Sequence, residues 1–181
     1  MIEISDYRSD WPEHFLQIRD SILPALPEIT FRVEHVGSTS VPGLCAKPII
    51  DIDIIIESIS DFNSVRSNLQ AVGYQYLGNQ GVPGREAFRN NSCDIKHHLY
   101  VCQDGVLALR NHITLRDHLR KNIEDRDRYG LLKRQLAKQF RNDIEAYIEG
   151  KTDFIIKILS KYGIEELDEI RNVNKKFDDK L

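Results

Sequence analysis

Cysteine is scarce. Cys45, Cys93 and Cys102 are the only three in 181 residues, and no two stand in a CxxC spacing. An odd, sparse count excludes a disulfide framework and fits a reduced compartment, so each is read as a packing residue rather than a nucleophile. Long apolar runs are also lacking; none approaches the roughly 20 residues of a membrane helix, so no membrane association is expected. The opening MIEISDYRSDWPEHF has no basic stretch followed by an apolar one. A secretory leader is therefore not expected, and a cytoplasmic location is. No sign of charge dominates: 25 basic residues face 28 acidic ones, a net of -3. Without a global positive field, nucleic acid is not the expected partner. The basic run RNHITLRDHLRKN has little aromatic interleaving and is read as a solvated helix face. Repeats and low-complexity linkers are absent. Proline stops at Pro83, which leaves the second half free to form long helices.

What is present is the balance of a folded domain, with 41% apolar and 29% charged residues. The length suits one domain with a proper core. Helical spacing over 11–23 ends at Pro24. Strands are predicted at 31–36, 48–56, 74–77, 86–89 and 95–102, and a helix at 61–72 with Asp61 and Gly73 at its ends. Helices are predicted over 105–120, 123–148 and 151–161, followed by a charged tail at 162–181. Strands first and helices later indicate an α+β fold: a mixed or antiparallel sheet flanked by helices, with a C-terminal helical part.

The chemistry concentrates in EHVGSTSVPGLCAKPIIDIDIII, residues 34–56. Alternation along a strand puts Asp51 and Asp53 on one face and Ile50, Ile52, Ile54 and Ile56 on the other. Two carboxylates this close repel, and a divalent cation removes the conflict. The bland alternative is an edge strand with a wet polar face. Gly37-Ser38, thirteen residues before Asp51, shifts the weight toward a ligand, because a glycine turn lets backbone and hydroxyl approach a phosphate. GSTSVPGLCAK is not a P-loop: its second glycine comes one position late, and Lys47 is followed by Pro48.

These residues resemble the GrpB family, a branch of the nucleotidyltransferase superfamily, whose signature is a strand ending in Gly-Ser, a connection, and a strand with Asp-x-Asp. The resemblance extends through GVPGREAFR (81–89), HHLYV (97–101), LRDHLRKN (115–122), RYGLLKRQLA (128–137) and EAYIEGKTDFI (145–155). It departs at Tyr100, where the family has histidine, and at Leu115, where it has phenylalanine. It implies one nucleotidyltransferase-like domain over 1–161, with a sheet-containing core to 104 and a helical part from 105. It further implies metal-dependent transfer of a nucleoside monophosphate from a nucleoside triphosphate to an acceptor that stays unassigned. Mg²⁺ or Mn²⁺ would be held by Asp51 and Asp53. Where the superfamily adds a third carboxylate, this chain offers His98, as ligand or base, with Asp94 in reserve. Gly37, Ser38, Lys47, Arg85, Arg116 and Arg120 would bind phosphate, Arg85 from a mobile Gly-Val-Pro-Gly turn. Tyr129 and Lys133 would line a groove over the sheet or be exposed stems, Lys151 is read as exposed, and His35 would orient an aspartate or serve packing alone. The competing readings are a non-catalytic nucleotide- or small-ligand-binding protein on the same fold, and a metal-dependent hydrolase.

Overall fold

β-Branched residues drive the central strand. Five of the seven residues of β2 (Ile50–Ile56, IDIDIII) are isoleucine, a residue that packs well on a pleated surface. In the computed structural model, which describes residues 1–166 and 169–171, β2 is an interior strand. Its neighbours are β1 (Phe31–Val36), antiparallel, and β5 (His97–Gln103), parallel. β4 (Arg85–Arg89) and the two-residue β3 (Gln75–Tyr76) complete a mixed sheet of order β1-β2-β5-β4-β3. The wet-edge alternative for the aspartates is therefore ruled out.

One face of the sheet is hydrocarbon. Ile50, Ile52, Ile54 and Ile56 join Leu99 and Val101 against α1 (Trp11–Ile22) and α2 (Phe62–Ala71), through Trp11, Ile18, Ile22, Val65 and Leu69. Each buried isoleucine contributes roughly 1.5–3 kcal/mol. The opposite face carries Asp51 and Asp53, then Ile55, Tyr100 and Cys102, and packs Leu109 of α3 (Leu107–Lys121).

The helical part differs from expectation in one boundary. The predicted helices 123–148 and 151–161 are instead α4 (Ile123–Gln139) and α5 (Ile144–Ser160). The chain turns at residues 140–143, where Asp143 accepts a hydrogen bond from the Ala146 N–H (3.0 Å) and caps α5. Gly150, read as a break, lies inside α5. A Cβ there would lie 2.5 Å from a Leu136 methyl, so glycine marks where α5 crosses α4 closely. Ile164 and Ile170 pack with Leu119, Ile155 and Leu159. Of the expected tail at 162–181, residues 167–168 and 172–181 lie outside the described residues. No described helix is long and apolar enough to cross a membrane.

Candidate functional site

Strand register decides which side chains meet. Asp51 pairs with His98 across β2 and β5, and Asp53 with Tyr100. His98 lies on the same face as Asp51 and donates from Nδ1 to Asp51 Oδ1 (2.8 Å). Asp53 is taken from the other side: His112, on α3, donates from Nδ1 to its Oδ2 (2.7 Å). Each carboxylate thus has its own imidazole. Burial pushes the Asp51 carboxyl up, but the His98 hydrogen bond, with His98, His112 and Lys47 nearby, outweighs it and holds the group below its ordinary range. Asp53 is 0% exposed, and its Oδ1 has no hydrogen-bond partner among the described residues. A buried carboxylate oxygen left this way is costly unless a donor or cation completes it.

The β1–β2 connection folds over the end of β2. Val36 pairs with Asp51, so Gly37 leaves β1 beside the Asp51 carboxylate. Its φ is +68°, and a Cβ there would fall 2.1 Å from Asp51 Oδ2. Only glycine fits. Residues Ser38–Ser40 form one 3-10 turn. Within it, Ser40 Oγ donates to Gly37 O (2.6 Å) and Thr39 Oγ1 to Ile49 O (3.3 Å). Arg120 secures the turn from outside, donating from Nε and Nη2 to Ser40 O (3.0 and 2.8 Å).

A pocket opens between this turn and the helices. Gly37, Ser38, Lys47, Asp51 and His98 line one wall, with Asn111, His112 and Arg116 of α3 beside them. Arg116 is already engaged with Glu34 (2.7 Å), Asp117 (2.8 Å) and the His35 carbonyl (3.1 Å). Tyr129 and Lys133 of α4 and Tyr147 and Lys151 of α5 also line the pocket. Lys133 donates to Cys45 O, and burial pushes its ammonium down to about 7. The Lys151 ammonium lies 4.2 Å over the Tyr147 ring.

Several expected residues lie elsewhere. Arg85 is not on a turn; it opens β4, is fully buried, and stacks 4.5 Å over the Tyr100 ring. Pro83-Gly84 before it ends a turn, and β4 then carries the guanidinium inward onto Tyr100. Arg120 secures the turn without lining the pocket. Asp94 precedes β5, is exposed, and borders a separate surface cleft. His35 bonds Thr39 Oγ1 (3.0 Å) and stacks on Phe15 (4.9 Å), so it holds the turn and does not orient an aspartate. His97 donates to Ile95 O (2.7 Å) and accepts from Tyr74 (2.8 Å), a structural arrangement. His112 and Asn111 were missed. Both were hidden in what read as a basic helix face; the available signal was a lone histidine four residues before Arg116, on the same helix face.

The donor set fits a hard divalent cation in its chemistry, with Asp51 the carboxylate that lines the pocket. Two carboxylates share one strand face, and one has an unsatisfied buried oxygen; Mg²⁺ commonly takes one or two carboxylates and completes its shell with water and phosphate. Among the described residues no group of three or more His, Cys, Asp or Glu side chains converges. His98 serves Asp51 as hydrogen-bond partner, and Asp53 lies behind His112, outside the pocket lining.

The chain belongs to the GrpB family: the profile described as GrpB protein matches residues 1–161. A UPF0157 protein of Streptomyces coelicolor is 39% identical over 162 residues, covering 90% of this chain and 84% of that one. The crystal structure of the conserved protein GrpB from Enterococcus faecalis superposes with a TM-score of 0.77 at 33% identity, over 97% and 99% of the two chains. The Cid1 poly(U) polymerase with MgGTP bound gives a TM-score of 0.53 at 16% identity, over 75% of this chain and 45% of that one. At that identity the likeness is one of fold, which is nucleotidyltransferase-like.

Proposed function

We propose that this GrpB-family chain binds a nucleoside triphosphate at the Gly37–Asp51 wall and transfers its nucleoside monophosphate to a small-molecule acceptor, with Mg²⁺ or Mn²⁺. The carrying observation is the packing of Gly37 on Asp51, where a Cβ would lie 2.1 Å from the carboxylate oxygen. It joins the phosphate-approach turn and the carboxylate in one wall. The likeness in fold to a polymerase with MgGTP bound supports the same reading.

Asp51 and Asp53 would hold the cation, which would neutralise phosphoryl charge and activate the acceptor. The chain's own groups do the rest. Gly37 and Ser38 receive phosphate oxygens, and Lys47 and Arg116 offset their charge. His98 holds Asp51 ionised and in place; with Nδ1–H committed there, Nε2 is the atom able to take the acceptor's proton. The acceptor attacks the α-phosphorus, the bond from that phosphorus to the bridging oxygen breaks, and pyrophosphate leaves with the electron pair. Asn111 and His112 line the same wall.

A non-catalytic binder is the second reading, favoured by the absence of a three-ligand cluster among the described residues. Calorimetry with ATP or GTP, with and without Mg²⁺, tests both. Mg²⁺-dependent binding that is lost in Asp51→Asn/Asp53→Asn is expected; equal affinity in that variant would sink the metal role. Pyrophosphate release then separates enzyme from binder.

A further inference from the structure

Lys133 is a buried cation with little to hold it. It is 2% exposed and lines the pocket from α4. Its hydrogen bond among the described residues goes to the Cys45 carbonyl, and no ion pair accompanies it. An ammonium has three N–H donors and, buried, needs a compensating anion. The groups that face it supply none at close range. The β1–β2 connection offers the Cys45 carbonyl; β2 offers only the electrostatic influence of Asp51; its own helix offers the Tyr129 ring at 5.0 Å and the repelling Arg134. From α5, Lys151 and Tyr147 line the same pocket, and Lys151 adds positive charge. The arrangement disfavours the charged amine until something negative arrives.

We propose that Lys133 is a proton-coupled anchor for an anionic group of the ligand in the pocket that Gly37 and Asp51 also line. Ligand and proton then bind together. The ligand class is a polyanion, or an anion joined to a second polar group, that meets both Lys133 and the Gly37 turn. This holds for a transferase and a non-catalytic binder alike. It also gives the buried lysine a purpose that packing does not, since a methionine would fill its place with no desolvated charge. The depressed lysine value, about 7, agrees in direction: burial favours the neutral amine, which can take up a proton when an anion arrives.

The probe is inorganic tripolyphosphate without metal, titrated by calorimetry near pH 8 in two buffers of different ionisation enthalpy. Wild type should take up more protons than Lys133→Met, by up to about one per site. Lys133→Met should bind roughly tenfold or more weakly while unfolding no more readily, because it removes a buried charge. Lys133→Arg, permanently charged, should keep binding without the extra uptake. Equal affinity and equal proton uptake in wild type and Lys133→Met would overturn the proposal, as would failure of wild type to bind the probe. A parallel titration with MgGTP separates the two readings. Loss in the aspartate variant with no change in Lys133→Met leaves the metal site standing and removes the anchor.

Discussion

β2 presents two faces to two environments. On one, Ile50, Ile52, Ile54 and Ile56 meet hydrocarbon from α1 and α2. On the other, one residue away at each step, Asp51 and Asp53 meet imidazoles from β5 and α3. Both faces are covered, so the aspartates were not placed for solubility. Apolar residues of the same size would be easier to bury there. The difference separates what folds this chain from what the fold is used for. The isoleucine face is satisfied within the protein. The aspartate face leaves Asp53 Oδ1 unpartnered among the described residues, which is the opening that the proposed function uses.

The contrast breaks first on the apolar side. Ile52→Ala removes a fully buried side chain and should destabilise by about 2–5 kcal/mol. Urea unfolding measures the loss. Nucleotide affinity, taken well below the transition, should stay near wild type. A loss of affinity as large as the loss of stability would mean that the two faces are not separable.

Acid should act on the isoleucine side as well, where His35 pairs with Ile52 and stacks on Phe15 of α1. Burial pushes His35 down to about 4, helped by Arg120 and Arg116 and opposed by Asp51. Its unfolded value is about 6.5. With the folded value depressed, the unfolded chain takes the proton first as pH falls. Stability is therefore whole above about pH 6.5 and is lost as pH falls toward 4, by at most about 3 kcal/mol. Burial moves His97 the same way. His35→Gln should flatten this stretch of the urea-midpoint profile. Parallel profiles in wild type and variant would assign the acid sensitivity elsewhere.

A third test enters at the turn. Gly37→Val adds a β-branched side chain where φ is +68° and where a Cβ meets the Asp51 carboxylate. Backbone strain alone should cost about 1–3 kcal/mol. Displacement of Asp51 should remove Mg²⁺-dependent nucleotide binding while the isoleucine core still folds, as read by circular dichroism and calorimetry. Normal binding would move the phosphate grip away from this turn.

How much of this was legible in the sequence follows from the range of the interactions. Strand alternation is local, so the two faces of β2 and the meeting of Asp51 with the Gly37 turn could be read from IDIDIII and GSTS. The approach of His98 followed from its place on a strand assumed to neighbour β2, which the register bears out. Contacts made by packing were not legible. His112 reaches Asp53 only because α3 crosses the sheet at that depth. Arg120 faces the turn's outside, one helical turn beyond Arg116. Gly150 reads as a helix stop, because glycine usually is one; only the crossing of α4 and α5 shows it to be a spacer. Arg85 reads as a loop cation until β4 turns it inward.

The smallest effect sharpens the comparison most. The hydroxyls of Thr39 and Ser40 are used inside the turn, on Ile49 O and Gly37 O. The Ser38 side chain borders the pocket instead. Ser38→Ala should therefore leave stability within about 0.5 kcal/mol and weaken nucleotide binding only several-fold, about 1 kcal/mol for one hydrogen bond. Ser40→Ala should do the reverse at first: about 1 kcal/mol of stability lost, with affinity falling only as far as the turn loosens. Both are read by paired urea and calorimetric titrations. If Ser38→Ala bound like wild type while Ser40→Ala bound poorly, the turn would act through the shape of its backbone, and the hydroxyl next to Gly37 would have no part in holding phosphate.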